Sequence, residues 1–429
     1  MTIFLIFILF AVILWRRTSS WDSISKNCLS TYLILWLISL IIASLGVYDL
    51  PIPCFDTYMY QLLHIFSFAF GYSLVKIRKD KQMNLLKLSN LLNKICDSKW
   101  TLFVALVYLL YMLVLLQQYF IQVQISQSFA ELRTSYYEGG LYGPLYDLLR
   151  GPVLEPLCSI FTFLFAYSII NHRSFLTWIL LANLGIYLSL SGGRFGYVLL
   201  CLAVFFVYMT FNQVLVNKQK SLMTMTVLGC LLLFLLVYIT GGRTGEVDSS
   251  LSDNLSESIE STKEQLTSYT SAPNVAFEYA LEHDYVSKIG GYQYGTLTLG
   301  AIENIAYTIC TKLGCSYRRP LKSFVTLIQD RYIYLGSVHW NALYTSSLIY
   351  YCDLGIFGLF LFPFIFGILF RVCIKSLYIY KSITSFILVG CVFLKVVFAI
   401  CMFDVTDMFY VIFLLLLFYF RKSYGYAIS

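Results

Sequence analysis

Residues 175–211 read FLTWILLANLGIYLSLSGGRFGYVLLCLAVFFVYMTF, and Arg194 is the single charged side chain among them. Two apolar runs, 175–190 and 196–211, flank the turn Ser191-Gly192-Gly193-Arg194. A helix needs about 20 apolar residues to cross a hydrocarbon core near 30 Å at about 1.5 Å per residue. Each run is short for that task, yet two of them joined by a glycine turn read as a helical hairpin through a membrane. The same texture extends in both directions. Further spans are expected near 2–15, 29–47, 59–77, 100–121, 152–170, 222–239, 349–370, 383–402 and 408–420, which makes eleven with the hairpin pair. Only 12% of the 429 residues are charged, against roughly 25% in soluble proteins, and mean hydropathy is +0.74. That balance excludes a water-soluble enzyme, and 35 Phe with 35 Tyr exclude a disordered chain. The expected fold class is an all-α polytopic membrane protein.

Basic residues set the orientation. One set of loops carries Arg16, Arg17, Lys26, the cluster over 76–99, Arg173, Lys218, Lys220, Arg371, Lys375, Lys381, Arg421 and Lys422. Short loops on the other side carry Arg133, Arg150 and Arg194. Lys and Arg collect in cytoplasmic loops, so the N-terminus is expected outside and the C-terminus inside. The first apolar run has no basic region before it, and Arg16 and Arg17 follow it, so it reads as an uncleaved anchor. The net charge of +7 is explained by these loops, and no nucleic-acid partner is expected. The organisation is then a bundle over 1–239 with an outside segment at 122–151, a large outside loop over 240–348, a closing bundle over 349–420 and a tail over 421–429. A structureless loop of that length is uncommon unless functional, so folded helices are expected in it, with turns at Gly290-Gly291 and Gly295 and an apolar run from Thr296 to Cys310.

The chemistry-bearing residues gather on the outside face. Glycines let the backbone of residues 191–194 turn tightly and leave N–H groups free beside Arg194, a geometry that suits a phosphate or pyrophosphate. A plain hairpin whose Arg touches lipid headgroups fits the same residues. A second such turn, Thr240-Gly241-Gly242-Arg243-Thr244-Gly245, follows the next outward run, and two on one face favour a shared anionic ligand. Neither is a Walker motif. Arg318, Arg319, Lys322 and Arg331 add positive charge later in the loop; most read as a solvated patch, while Arg331 lies near the next motif.

That motif is Ser337-Val338-His339-Trp340-Asn341, followed by Cys352-Asp353-Leu354-Gly355. His titrates near neutral pH and can take a proton from a hydroxyl, so His339 is a candidate base, or else a surface His at the foot of a helix. Asp353 precedes an apolar run and is expected to N-cap it, and Pro363 to kink it. Lys395 lies inside a span, where a charge is a functional candidate, with Asp404, Asp407 or Glu155 as partners. Glu155 sits at the outer end of the 152–170 run. His64 reads as a hydrogen-bonded bundle residue. His172 and His283 have no metal-type spacing to a neighbour, no CxxC pair is present, and no metal site is expected. Cys310 and Cys315 lie where a disulfide is permitted.

Together these features resemble the Wzy-type O-antigen polymerases, which join oligosaccharide repeat units of bacterial surface polysaccharide. The resemblance rests on Leu190-Ser191-Gly192-Gly193-Arg194-Phe195-Gly196, the early Gly-Gly-Arg of the large loop and Arg319-Pro320-Leu321-Lys322. It rests also on the block from His339-Trp340-Asn341 to Asp353-Leu354-Gly355, and it covers most of 185–370. It implies a GT-C-like glycosyltransferase of lipopolysaccharide biosynthesis in the bacterial inner membrane, working on the periplasmic face without metal, nucleotide or other cofactor. Donor and acceptor would be undecaprenyl-pyrophosphate-linked oligosaccharides amid membrane lipids, with room for a chain-length regulator protein as partner. By position Arg194 and Arg243 match the pyrophosphate-holding arginines, with Arg331 as a third, and His339 the base. Gly193, Asn341, Asp353, Glu155 and Lys395 stand as supporting residues. An O-antigen ligase delivering glycan to lipid A core has the same architecture. A lipid-linked oligosaccharide flippase is the alternative of another class, but internal repeats and short loops are expected of it.

Overall fold

The computed structural model describes all residues except 20, 78–84, 126–140, 172–173, 191–194, 212–250 (apart from 219, 223 and 226), 330–332, 337, 341–343, 401–406 and 423–429. The chain is mostly helical. In order the elements are α1 (Thr2–Thr18), α2 (Ser23–Ala43), α3 (Phe55–Leu74), α4 (Leu85–Cys96) and α5 (Lys99–Ile125). Next, α6 (Pro144–Leu149) continues through a π turn (Arg150–Leu154) into α7 (Glu155–Ile170), followed by α8 (Ser174–Leu190) and α9 (Phe195–Phe211). The predicted outside loop holds α10 (Leu251–Glu282), α11 (Tyr285–Lys288), α12 (Gly300–Lys312), α13 (Pro320–Gln329) and the strands β1 (Ile333–Leu335) and β2 (Val338–Trp340). Helices α14 (Ser346–Tyr380), α15 (Ile383–Phe398) and α16 (Met408–Tyr419) close the chain.

Helices fall on each expected apolar run except 222–239, which lies almost wholly outside the described residues. Four stretches among the described residues are long and apolar enough to cross a membrane: Ser23–Ala43, Lys99–Gln122, Pro144–Ile170 and Ser346–Tyr380. Helices α8, α9, α15 and α16 are apolar but shorter. Large apolar side chains are exposed on outer faces, Phe7 at 69% and Leu110 at 66%. In water such patches are costly; in lipid they are the expected surface. The architecture agrees with the all-α expectation; among the described residues one short antiparallel hairpin, Ile333–Leu335 with Val338–Trp340, is added to it where helices were anticipated.

The chain divides into two units, and each is described by itself. Unit 1 comprises Met1–Gln82, Lys263–Ile379 and Lys395–Leu415. Its core is aromatic: Tyr32 lies 4.2 Å from Phe68 and Trp36 lies 4.7 Å from His64, ring to ring, joining α2 to α3. Helices α3 and α14 cross at a contact only glycine permits. A Cβ on Gly71 would sit 2.0 Å from the Phe364 carbonyl oxygen, and one on Gly367 would sit 2.2 Å from that of Phe68. Small residues that let backbones meet are a principal means of holding helices in lipid, where apolar burial gives no drive between them. The second half of α10 is tied to α2, with Asn274 Nδ2 donating to Ser39 Oγ (2.7 Å) and Ser39 Oγ to the Thr270 carbonyl (2.5 Å).

Helix α14 departs from expectation in two ways. It breaks at Leu354 (φ −143°, ψ 19°) and Gly355 (φ 61°, ψ −143°), ahead of Pro363, which lies within the helix. Arg371, expected in a cytoplasmic loop, is inside the helix and 4% exposed. Its guanidinium lies 3.6 Å from Asp22 Oδ2, donates to the Val75 carbonyl (3.2 Å) and faces the rings of Trp21 (4.7 Å) and Tyr72 (5.0 Å). Asp22 also caps α2 through Ser25 N (2.8 Å) and accepts from the Tyr378 hydroxyl (2.6 Å). A partnered, ring-covered Arg tolerates burial that an isolated one would not.

Unit 2 comprises Met83–Thr262, Tyr380–Leu394 and Leu416–Ser429. Its centre is a phenylalanine cluster: Phe206 lies 5.1 Å from Phe393, Phe211 5.5 Å from Phe386, and Phe163 6.0 Å from Phe206. Asn183 donates to the Ala105 carbonyl (2.9 Å) and joins α8 to α5.

Candidate functional site

The expected site divides between residues that are described and residues that are not. Gly193, Arg194, Arg243, Arg331 and Asn341 lie outside the described residues. The helix ends that carry the first glycine turn are described. Ser189 Oγ and the Tyr197 hydroxyl are 2.9 Å apart, linking the last turn of α8 to the first of α9. The Tyr142 hydroxyl donates to the Leu190 carbonyl (3.0 Å), satisfying an acceptor that a helix C-terminus leaves open.

His339 lies in β2, in register with Tyr334 of β1. The hairpin is anchored by its neighbours. Ile333, Leu335 and Trp340 are buried in the core with Ala272, Phe277 and Tyr285, and Trp340 lies 5.5 Å from Tyr269 ring to ring. Tyr344, just beyond, shares a hydrogen bond with Tyr285 (3.3 Å), and burial with that hydroxyl beside it pushes the Tyr344 phenol well up, keeping it protonated. Alternation of buried and exposed residues over 333–335 is the strand period that binds this stretch to a core rather than to solvent.

Asp353 departs from its expected role as an N-cap of its own helix. Its carboxylate, fully buried, accepts from the backbone amides of Leu297 (3.1 Å) and Thr298 (2.7 Å). The break at Leu354–Gly355 explains why. It releases the carbonyls of Cys352 and Asp353 from the helical ladder, and buried carbonyls require donors. Gln293 N and Tyr294 N supply them at 3.1 and 3.0 Å. The turn over 290–298 is therefore laced to the broken end of α14. Gly355 is required twice: its left-handed φ disfavours other residues, and a Cβ there would lie 3.1 Å from the Tyr292 hydroxyl. The other side of the turn is held by Arg318, which donates to the Ile289 carbonyl at 2.6 Å at the end of α11.

Beside this turn is a half-open cavity of about 230 Å³, lined by parts of α10, α11, Tyr292 and the start of α14. A second group of polar residues was not anticipated from the sequence. Glu303, in the first turn of α12, is 3% exposed, and neither of its carboxylate oxygens has a hydrogen-bond partner. Burial raises its pKa, and the nearby Arg319 partly opposes that rise. Arg319 donates to Asn304 Oδ1 (2.9 Å) and lies 3.9 Å from the Tyr307 ring centre. In sequence Glu303 looks like an ordinary acid at a helix start, favoured there by the helix dipole.

Glu155 accepts from Arg150 at 3.3 Å, one turn before it. The Lys395 ammonium is 4.3 Å from the Tyr410 ring centre. Of its expected partners, Asp404 lies outside the described residues and Asp407 accepts from the amides of Phe409 (2.8 Å) and Tyr410 (3.3 Å). His64 is the bundle residue expected of it: Nδ1 is 2.6 Å from Ser347 Oγ, which donates to Gln61 Oε1 (2.6 Å). Cys310 and Cys315 are free thiols. Among the described residues no cluster of His, Cys, Asp and Glu could hold a metal. No family model matches the chain, and no curated protein or solved structure matches it.

Proposed function

We propose that the chain is a membrane glycosyltransferase that polymerises undecaprenyl-pyrophosphate-linked oligosaccharide repeat units into O-antigen or a similar surface polysaccharide. In this reading it crosses the bacterial inner membrane eleven times in a GT-C-like arrangement. The N-terminus lies outside, the C-terminus inside, and the loop over 240–348 in the periplasm. Arg194 and Arg243, assisted by Arg331, hold the donor pyrophosphate. An acceptor sugar hydroxyl, giving its proton to His339, attacks the anomeric carbon of the donor glycan. The new glycosidic bond forms as the bond to pyrophosphate oxygen breaks, and undecaprenyl pyrophosphate leaves with the electron pair. Charge grows on the leaving group, and guanidinium donors already in place stabilise that growth in a water-poor site. Holding both lipid-linked partners supplies further rate through orientation.

What supports the reading is the presence in one sequence of two Gly-Gly-Arg motifs and a folded segment whose strand bears His339 and whose core is continuous with α14. A transporter has little use for such a segment between its helices. The test is deletion in the native strain, complementation with Arg194→Ala or Arg243→Ala, and gel separation of the surface polysaccharide. The expected result is loss of the ladder with single repeat units kept on the core. A normal ladder with either variant removes that arginine from the mechanism. Bare core points instead to the ligase or the flippase, which intracellular lipid-linked units then separate.

A further inference from the structure

The cavity beside the laced turn is small and chemically mixed. At about 230 Å³ it is below the roughly 300–1,000 Å³ of sites that enclose drug-sized ligands, so one ring fits where a whole repeat unit does not. Tyrosines contribute much of its wall: Tyr285 is buried, Tyr351 is half-buried and Tyr292 is 44% exposed. Asp284 and Ser287 give it a polar rim. The Ser287 hydroxyl, and after it the Ser287 N–H that donates to Asp284 Oδ1 (3.2 Å), hold the pKa of this acid below its usual value.

The lining has a chemical preference. No Lys or Arg among the described residues lines it, and Asp284 does; Lys288 lies outside the wall, 5.0 Å from the Tyr285 ring centre and near enough to Asp284 to offset part of its charge, so the lining itself offers an anion no cation. A lipid tail would place carbon against the Asp284 carboxylate and the Ser287 hydroxyl, desolvating both without return. A neutral pyranose ring offers an apolar C–H face for the tyrosine rings and a hydroxyl edge for Asp284 and Ser287. The wall is also fixed in advance. Tyr292 rides on the turn that Asp353, Gly355 and Arg318 hold, so little ordering is needed on binding.

We propose that this cavity binds one neutral sugar ring of the acceptor oligosaccharide, with Tyr292 as the stacking platform and Asp284 as the hydroxyl acceptor. The identification of the saccharide as acceptor rests on the glycosyltransferase reading above; the cavity's preference for a sugar ring rests on its lining. The test uses the purified full-length protein in detergent and, as probe, the lipid-free repeat-unit oligosaccharide released from the host's own surface polysaccharide. Saturation-transfer NMR is expected to mark the protons of one sugar residue. Tyr292→Ala and Asp284→Asn are each expected to weaken binding about tenfold. Tyr292→Phe, which keeps the ring and is less apt to disturb the fold, is expected to stay within about threefold of the parent. Arg194→Ala is expected to bind the oligosaccharide normally. Absence of binding to the parent protein, or equal binding to the Tyr292→Ala and Asp284→Asn variants, overturns the proposal. If Arg194→Ala abolishes the ladder while the cavity variants bind normally, the sugar site falls and the polymerase reading stands. If the ladder is normal while cavity binding depends on Tyr292, the site stands and its assignment to polymerisation falls.

Discussion

Helix α14 buries charge at both of its ends, and it does so by different means. Near its start, Asp353 is neutralised by dipoles: two backbone amides from a turn more than fifty residues earlier point at its carboxylate. Near its end, Arg371 is neutralised by charge, set against Asp22 and covered by Trp21 and Tyr72. The ion pair joins the N-cap of α2 to the later part of α14. The amide-held carboxylate joins α14 to a glycine-rich turn and leaves a cavity next to the joint. The same helix thus uses charge pairing near its end and backbone amides near its start.

Breaking the ion pair has the largest expected effect. Arg371→Met removes the cation from Asp22 and from the Trp21 and Tyr72 rings and is expected to cost about 3–4 kcal/mol, the lower part of the range for breaking a buried pair, because Asp22 is partly exposed and keeps Ser25 N and the Tyr378 hydroxyl. A thermal melt in detergent checks it. The double variant Arg371→Met with Asp22→Asn is expected to recover part of that loss, and full additivity would contradict coupling between them. Breaking the amide-held carboxylate comes next. Asp353→Ala orphans two buried amides and is expected to cost about 2–4 kcal/mol, with faster hydrogen exchange at Leu297 and Thr298 while the α2–α14 contact keeps its protection.

Gly355→Ala sharpens the contrast, because it strains the joint without touching a charge. About 1–3 kcal/mol is expected from the backbone conformation, together with displacement of Tyr292, read as weaker oligosaccharide binding. The smallest effect belongs to Glu303, a buried carboxylate with no hydrogen-bond donor and only the charge of nearby Arg319 to oppose its burial. Its folded pKa is raised, so the folded chain holds this proton more tightly than the unfolded chain. Stability then falls as pH rises from the ordinary carboxylate range through the raised pKa, and is level once both states are ionised. Glu303→Gln is expected to add about 1–2 kcal/mol at neutral pH and to flatten that slope. A melting-temperature series against pH measures it; an unchanged slope would show that Glu303 is not the titrating group.

Much of the fold was legible because hydropathy is a local property. The apolar runs over 29–47, 100–121 and 349–370 needed no knowledge of partners, and Gly290-Gly291 marked a turn by composition. His64 was readable as a bundle residue because a lone His on an apolar face lacks companions for metal. What escaped the sequence depends on distant contacts. Asp353 looked like a cap for its own helix because nothing nearby announces Leu297 and Thr298. Arg371 looked like a loop base because Asp22, its partner, is almost the whole chain away. Residues 333–340 are too short a stretch for alternation to outweigh a helical setting, and their pairing is fixed by the core beneath them. Glu303 is legible as a helix-start acid and illegible as a buried one.

The central claim is that arginines of the glycine turns hold a lipid diphosphate while one glycan is passed to another. Its most direct test is the purified full-length chain in vesicles, with undecaprenyl-pyrophosphate-linked repeat unit as the sole added substrate. The prediction is one undecaprenyl pyrophosphate released per glycosidic bond formed, without added metal or nucleotide, abolished by Arg194→Ala and strongly slowed by His339→Ala with substrate still bound. Repeat units that remain single in the presence of active, correctly inserted protein, or release that is indifferent to Arg194 and Arg243, would contradict it.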